Sequence, residues 1–313
     1  MNAPIDPSKF KHPLVTAKGE TRATVEWDYL KTLWLNTGSL CNITCANCYI
    51  ESSPTADHFA YLTPDDVGPY LDEIDDMGIG KIEIGMTGGE PCMNPYFIAL
   101  CEMALERGHS LLILTNAMKP LIRPRVQAGL LQLFKSYGPQ MTFRVSLDHF
   151  TAKGHDTERG MGSFDIAVAG MNWFRDHGFN MHIAGRAMFS ESEDLAREGY
   201  ADLITRHNWD IDAADSGALM LFPEMDDRVD VPEITTACWD ILSIDPRTMM
   251  CANSRMLSKR KGANAPVLLS CTLLWDDPQF EMGTTLRESL KPVSLNHPHC
   301  AKFCVLGGAS CSG

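Results

Sequence analysis

Apolar residues along this chain fall into two rhythms that take turns. Short, nearly unbroken apolar runs occur in KTLWLNTG (31–38), KIEIGMTGG (81–89), SLLILTN (110–116), MTFRVSLD (141–148), NMHIAGRAMF (180–189) and SGALMLFP (216–223), each suited to a buried strand. Between them lie stretches whose apolar positions recur at helical spacing: 63–78, 94–108, 124–138, 163–178 and 191–207. The first of these opens on Thr63 as an N-cap with Pro64 at the first helical position. Strands that alternate with helices imply a parallel sheet joined by right-handed crossovers. The expected fold is α/β, an open, partial (β/α)6 barrel over residues 31–225.

Both ends depart from that rhythm. Residues 1–30 are polar and proline-containing and read as an N-terminal extension. Past Pro223 the alternation stops. MMCANSRMLSK (249–259) and VLLSCTLLW (267–275), around a turn at 261–266, predict a β-hairpin. Residues 226–313 are therefore expected to form a second, smaller domain.

Composition narrows the class. Hydrophobic residues make up 44% and charged residues 21% of the 313, as in ordinary globular proteins. No run approaches the length of a membrane span and the first residues lack an apolar signal segment, so a cytoplasmic protein with no membrane partner is expected. The net charge of −13 argues against a general nucleic-acid binder, though not against an RNA met through a local patch.

Cysteine changes the picture most. Eleven cysteines without an export signal point to metal or catalytic chemistry rather than disulfides. Cys41, Cys45 and Cys48 form C-x3-C-x2-C directly after the first strand. Three thiolates on a tight loop can hold three irons of a [4Fe–4S] cube and leave the fourth open, whereas zinc favours four ligands. Cys101 lies among apolar helix positions and reads as core, and so does Cys92. Asp210, Asp212 and Asp215 before the sixth strand read as loop carboxylates.

With this trio, an aromatic Tyr49 after it, and MTGGEP (86–91) at the end of the second strand, the chain resembles the radical SAM superfamily. The resemblance implies that S-adenosylmethionine binds the open iron and is cleaved reductively to a 5′-deoxyadenosyl radical, which takes a hydrogen from the substrate. It implies close backbone approach at Gly88 and Gly89, and contact of Glu90 with the methionine ammonium. Asn116, beside Thr115, and Ser146 and Asp148 would meet the cosubstrate at strand ends, and Arg186 would pair with its carboxylate. The stretch 155–164 is similar to one that follows the fourth strand in members with auxiliary clusters.

The C-terminal region resembles the SPASM and twitch auxiliary-cluster domains. That resemblance implies a second [4Fe–4S] cluster on Cys251, Cys271, Cys300 and Cys304, which leaves Cys238 and Cys311 as spare, substrate-facing or alternative ligands. His297 and His299 beside Cys300 could donate to it or simply sit on the surface. The implied partners are a reductant such as flavodoxin or ferredoxin, and a substrate for which a small molecule is favoured over a peptide. The alternatives are a peptide- or protein-modifying enzyme of the sulfatase-maturase or peptide-crosslinking kind, and a non-catalytic iron–sulfur or zinc scaffold.

Overall fold

Hydrophobic runs that are buried on both faces make a parallel sheet covered by helices, and this arrangement dominates the computed structural model, which describes residues 4–186, 188, 191–223 and 229–308. In chain order the elements are β1 (Thr24–Val25), β2 (Thr32–Asn36), α1 (Pro64–Asp76), β3 (Glu83–Thr87), α2 (Phe97–Glu106), β4 (Ser110–Thr115), α3 (Pro124–Tyr137), β5 (Met141–Ser146), α4 (Ala152–Arg159), α5 (Ser163–Asp176), β6 (Asn180–Arg186), α6 (Glu193–His207) and β7 (Leu219–Phe222). Then follow α7 (Cys238–Leu242), α8 (Met250–Asn253), β8 (Ser254–Ser258), β9 (Val267–Leu269), β10 (Glu281–Gly283), α9 (Leu286–Ser289), β11 (Val293–Ser294) and a π-helical turn, Cys300–Val305.

The main sheet runs β10-β9-β8-β2-β3-β4-β5-β6-β7. Strands β2 to β7 are the six expected ones, all parallel, and the sheet stays open. All five residues of β2 are buried, as a central strand requires. Helix α1 starts where the caps predicted: the Thr63 hydroxyl accepts from Asp66 N–H at 3.2 Å, and the Asp66 carboxylate accepts from Thr63 N–H at 3.0 Å.

The C-terminal hairpin continues the barrel sheet. β8 pairs parallel with β2, from Thr32↔Ser254 to Leu35↔Leu257, and β9 returns antiparallel. Its strands are shorter than the hydrophobic arms suggested. The ladder with β2 begins at Ser254, so Cys251 stands on α8 and Cys271 just past β9, both at the open end of the hairpin. The expected domain boundary at 225/226 and Cys311 lie outside the described residues.

Residues 4–30 are held by the C-terminal segment. β1 pairs with β11, and buried Arg22 forms an ion pair with Glu233 at 2.5 Å. One hydrophobic core spans both halves, from Leu33 and Met86 to Leu257 and Phe303.

Candidate active site

The loop that leaves β2 carries Cys41, buried, and Cys45 and Cys48, half-buried. All three face one cleft of about 640 Å³ at the C-terminal strand ends, with Gly88, Gly89, Asn116, Ser146, Arg159 and Arg186 on its other walls. Functional groups of barrels of this type sit at that end.

The thiol loop is pinned from two sides. Cys41 N–H donates to Ser53 O at 3.0 Å and Ser52 N–H to Cys48 Sγ at 3.3 Å. From α4, Glu158 O accepts Ala46 N–H at 2.8 Å and its carboxylate accepts Asn47 Nδ2 at 2.9 and 3.1 Å. Trp275 Nε1 donates to Tyr49 O, tying the loop to the C-terminal segment.

The backbone after β3 lies against this loop with no space for side chains. Gly88 has φ +118°, and a Cβ there would sit 2.5 Å from Gly38 O; a Cβ on Gly89 would sit 2.1 Å from Leu40 O. Gly89 N–H donates to Gly38 O at 2.8 Å and Glu90 N–H to Leu40 O at 3.2 Å. The two glycines form a bare backbone wall opposite the thiols. Glu90 itself is buried and turned toward β4, accepting from Asn116 N–H at 2.8 Å, Thr115 Oγ1 at 2.9 Å and Cys92 N–H at 3.1 Å. Burial raises its pKa, and the Asn116 and Cys92 amides oppose that rise. Glu90 thereby fixes Asn116, whose Nδ2 donates to Asn42 Oδ1 at 2.9 Å and stands 3.8 Å from Cys41 Sγ.

Asp148, after β5, is buried between two guanidiniums: Arg159 Nε lies 2.6 Å and Arg186 Nε 3.6 Å away. Burial alone would raise the Asp148 pKa, but Arg159 and Arg186 hold it below the usual carboxylate range. Arg186 also lies 3.6 Å from Glu158 and donates to Asn47 O at 3.0 Å. Burial opposes the Arg159 charge, yet Asp148 and the sulfurs of Cys45 and Cys41 hold its pKa well up. Reading the sequence did not single out Arg159 or Glu158 by number; their signal was the stretch 155–164 that resembled an auxiliary-cluster family segment.

The donor set fits an iron–sulfur cube. Burial pushes the Cys41 thiol up to about 12, reinforced by Glu90, Cys45 and Cys48, and burial raises Cys45 as well. Thiols so desolvated stay protonated at neutral pH unless a metal takes the proton's place.

Behind the cleft, past Ser146 and Tyr49, a second cavity of about 630 Å³ reaches into the barrel between Leu114, Arg144, Ala184, Phe222, Leu273 and Phe303. In front of the thiol loop, an open groove of about 1390 Å³ runs between Thr44–Ser53 and Trp275, Asp276, His297 and His299.

At the hairpin mouth Cys251, Cys271 and Cys300 come together. Burial pushes Cys251 up to about 12 with Cys271 adding to it, and Cys300 rises through burial, Cys271 and Cys251. Cys304 stands four residues after Cys300 on the same π-helical turn. Cys238 opens α7 instead, its Sγ accepting from Thr235 N–H at 3.4 Å. Among the described residues, no three His, Cys, Asp or Glu side chains are arranged around one metal ion; a cube spaces its ligands more widely than one ion does. Cys101 packs on Met86 at 3.7 Å, as core. Asp212 and Asp215 accept backbone N–H groups of their own loop at 2.8 Å.

The family model for the radical SAM superfamily matches residues 35–195. The antilisterial bacteriocin subtilosin biosynthesis protein AlbA of Bacillus subtilis (strain 168) is 30% identical over 145 residues, 46% of this chain and 30% of that protein. Mycofactocin maturase MftC of Mycobacterium ulcerans (strain Agy99) is 31% identical over 173 residues, 54% of this chain and 38% of that one. The chain thus matches only about a third of these relatives' own length. The structure of Streptococcus suis SuiB bound to precursor peptide SuiA shares the fold at TM-score 0.59 and 12% identity, covering 84% of this chain and 64% of that one.

These relatives overturn one expectation. The sequence was read as favouring a small-molecule substrate over a peptide, yet the relatives are a bacteriocin biosynthesis protein, a maturase and, at the level of fold, a protein solved with a precursor peptide. Among the described residues no helix is long and apolar enough to cross a membrane. With the family model matching more than half of the chain, on the segment that carries the three thiols and the glycine pair, the protein belongs to the radical SAM superfamily, whose members use a [4Fe–4S] cluster and S-adenosylmethionine.

Proposed function

We propose that this protein is a peptide-modifying radical SAM enzyme. The observation that carries the reading is the single cleft shared by the thiols of Cys41, Cys45 and Cys48, a side-chain-free Gly88–Gly89 wall and the Arg159 and Arg186 guanidiniums braced by Asp148. Cys41, Cys45 and Cys48 would hold the cluster, which together with S-adenosylmethionine supplies hydrogen abstraction by a radical. The chain's own residues bind, orient and exclude water. The Gly88–Gly89 backbone admits the methionine end of the cosubstrate, and the guanidiniums of Arg159 and Arg186, braced by Asp148, meet its carboxylate. Asn116 and Ser146 offer polar contacts at the ends of β4 and β5. Leu114, Ala184, Phe222, Leu273 and Phe303 give the cavity behind Ser146 an apolar wall that would limit water there.

The peptide branch is supported by what the relatives are named for, bacteriocin biosynthesis and maturation, and by the open groove along the thiol loop. Cys251, Cys271, Cys300 and Cys304 would hold a second [4Fe–4S] cluster that assists oxidation or ligates the substrate. The electrostatic influence that Cys251, Cys271 and Cys300 exert on one another supports that set. The test is co-expression with short peptides encoded beside the gene, followed by mass spectrometry. A defined mass change in one peptide, lost in Cys45→Ala, is expected. Unchanged peptides, with an extract metabolite consumed in step with S-adenosylmethionine, would overturn the peptide reading.

A further inference from the structure

Arg255, on β8, is 0% exposed, and all its hydrogen bonds go to uncharged carbonyls. Nε donates to Ser289 O at 2.8 Å, Nη1 to Cys251 O and Ser254 O at 2.7 Å each, and Nη2 to Lys291 O at 3.0 Å. Trp27, from the N-terminal segment, lies over the guanidinium at 4.3 Å and seals it. Arg22, also buried, has Glu233 as counter-charge. Among the described residues no carboxylate plays that part for Arg255; the ionisable groups that act on it are Cys251 and Cys271.

A buried cation that lacks an anion is strongly destabilising, so the fold keeps one where an anion arrives to meet it. As protonated thiols, Cys251, Cys271 and Cys300 supply no such charge. As metal-bound thiolates they do. We propose that Arg255 is the built-in counter-charge of the second cluster and the positioning residue that sets its reduction potential. This rests on the reading of Cys251, Cys271, Cys300 and Cys304 as cluster ligands. Reduction of a thiolate-ligated cube by one electron makes and breaks no bond and moves no proton; it adds one negative charge to an already anionic site. A fixed cation in a dry environment favours the reduced form over the oxidised one and raises the potential.

The experiment is an EPR-monitored potentiometric titration of the full chain, with Cys41, Cys45 and Cys48 replaced by alanine so that only the C-terminal site responds. The parent, Arg255→Gln and Arg255→Lys are compared. Arg255→Gln should retain iron and titrate at a clearly lower potential, and Arg255→Lys, which keeps the charge but loses the carbonyl fork, should stay near the parent. If Arg255→Gln fails to hold the cluster, the expected pattern is iron retained in Arg255→Lys and lost in Arg255→Gln. An unchanged potential in Arg255→Gln, or equal loss of potential or of iron in both variants, would overturn the role of Arg255 while leaving the second cluster standing. A parent that binds no [4Fe–4S] cluster would overturn the second-cluster reading itself.

Discussion

At Gly89 the backbone of one strand end touches the backbone of the thiol loop, and the contact has no give on either side. Gly89→Ala drives a methyl group into the Leu40 carbonyl, so the loop must move. About 1–3 kcal/mol of stability should be lost in urea unfolding, and S-adenosylmethionine binding by isothermal titration should weaken sharply. His155 makes a second residue-scale prediction. It is fully buried, its Nδ1 accepts from Asp148 N–H at 3.2 Å, and burial, with Arg159 adding, lowers its pKa from 6.5 to about 4. Because the folded value is the lower one, the unfolded chain takes up the proton first as pH falls. The stabilisation is complete above pH 6.5 and fades as pH drops toward 4, by roughly 3 kcal/mol. Urea unfolding of the iron-free chain across that window should show this slope, and His155→Gln should lack it; an identical slope in the variant would refute the assignment. The cysteine trio and Gly88–Gly89 were visible as candidates because the trio directly follows one apolar run and the glycine pair ends the next. Arg159 was not: a guanidinium on a short polar helix gives no sign of where it points until Asp148 and the thiol loop are folded around it.

Among the elements that line the thiol cleft, α4 is the helix the hydrophobic pattern missed. Its sequence, AKGHDTER, has no apolar stripe, and the residues it buries include His155 and Glu158. Such a helix is held by polar contacts with the site, not by core packing, so periodicity has nothing to read. It matters because Glu158 grips Asn47 between Cys45 and Cys48. Glu158→Ala should leave the fold intact and weaken iron retention at the N-terminal site about tenfold or more against a chelator; equal retention would show that the loop stands without α4. The main strands were legible from their apolar runs, to within three residues at the ends. The pairing of β8 with β2 was not, because a strand some 200 residues away reveals its partner only through the register it completes.

That pairing joins the two parts of the molecule. β2 is a central strand only while β8 covers its edge, and the N-terminal segment is itself stitched to the C-terminal one through β1, β11 and the Arg22–Glu233 pair. A chain ended at Pro223 should therefore expose the β2 edge and aggregate, which analytical ultracentrifugation would read; a monodisperse, folded fragment would contradict it. At this scale the class of chemistry was legible from cysteines and glycines set at strand ends. The substrate was not, since the groove and cavity that select it are built from residues far apart in sequence. The most direct measurement of the whole account is anaerobic reconstitution followed by dithionite and S-adenosylmethionine, with 5′-deoxyadenosine quantified by chromatography. Wild-type protein should form it and Cys45→Ala should not. Formation at the wild-type rate in Cys45→Ala would mean that the cleft between the thiol loop and Gly88–Gly89 is not the catalytic site.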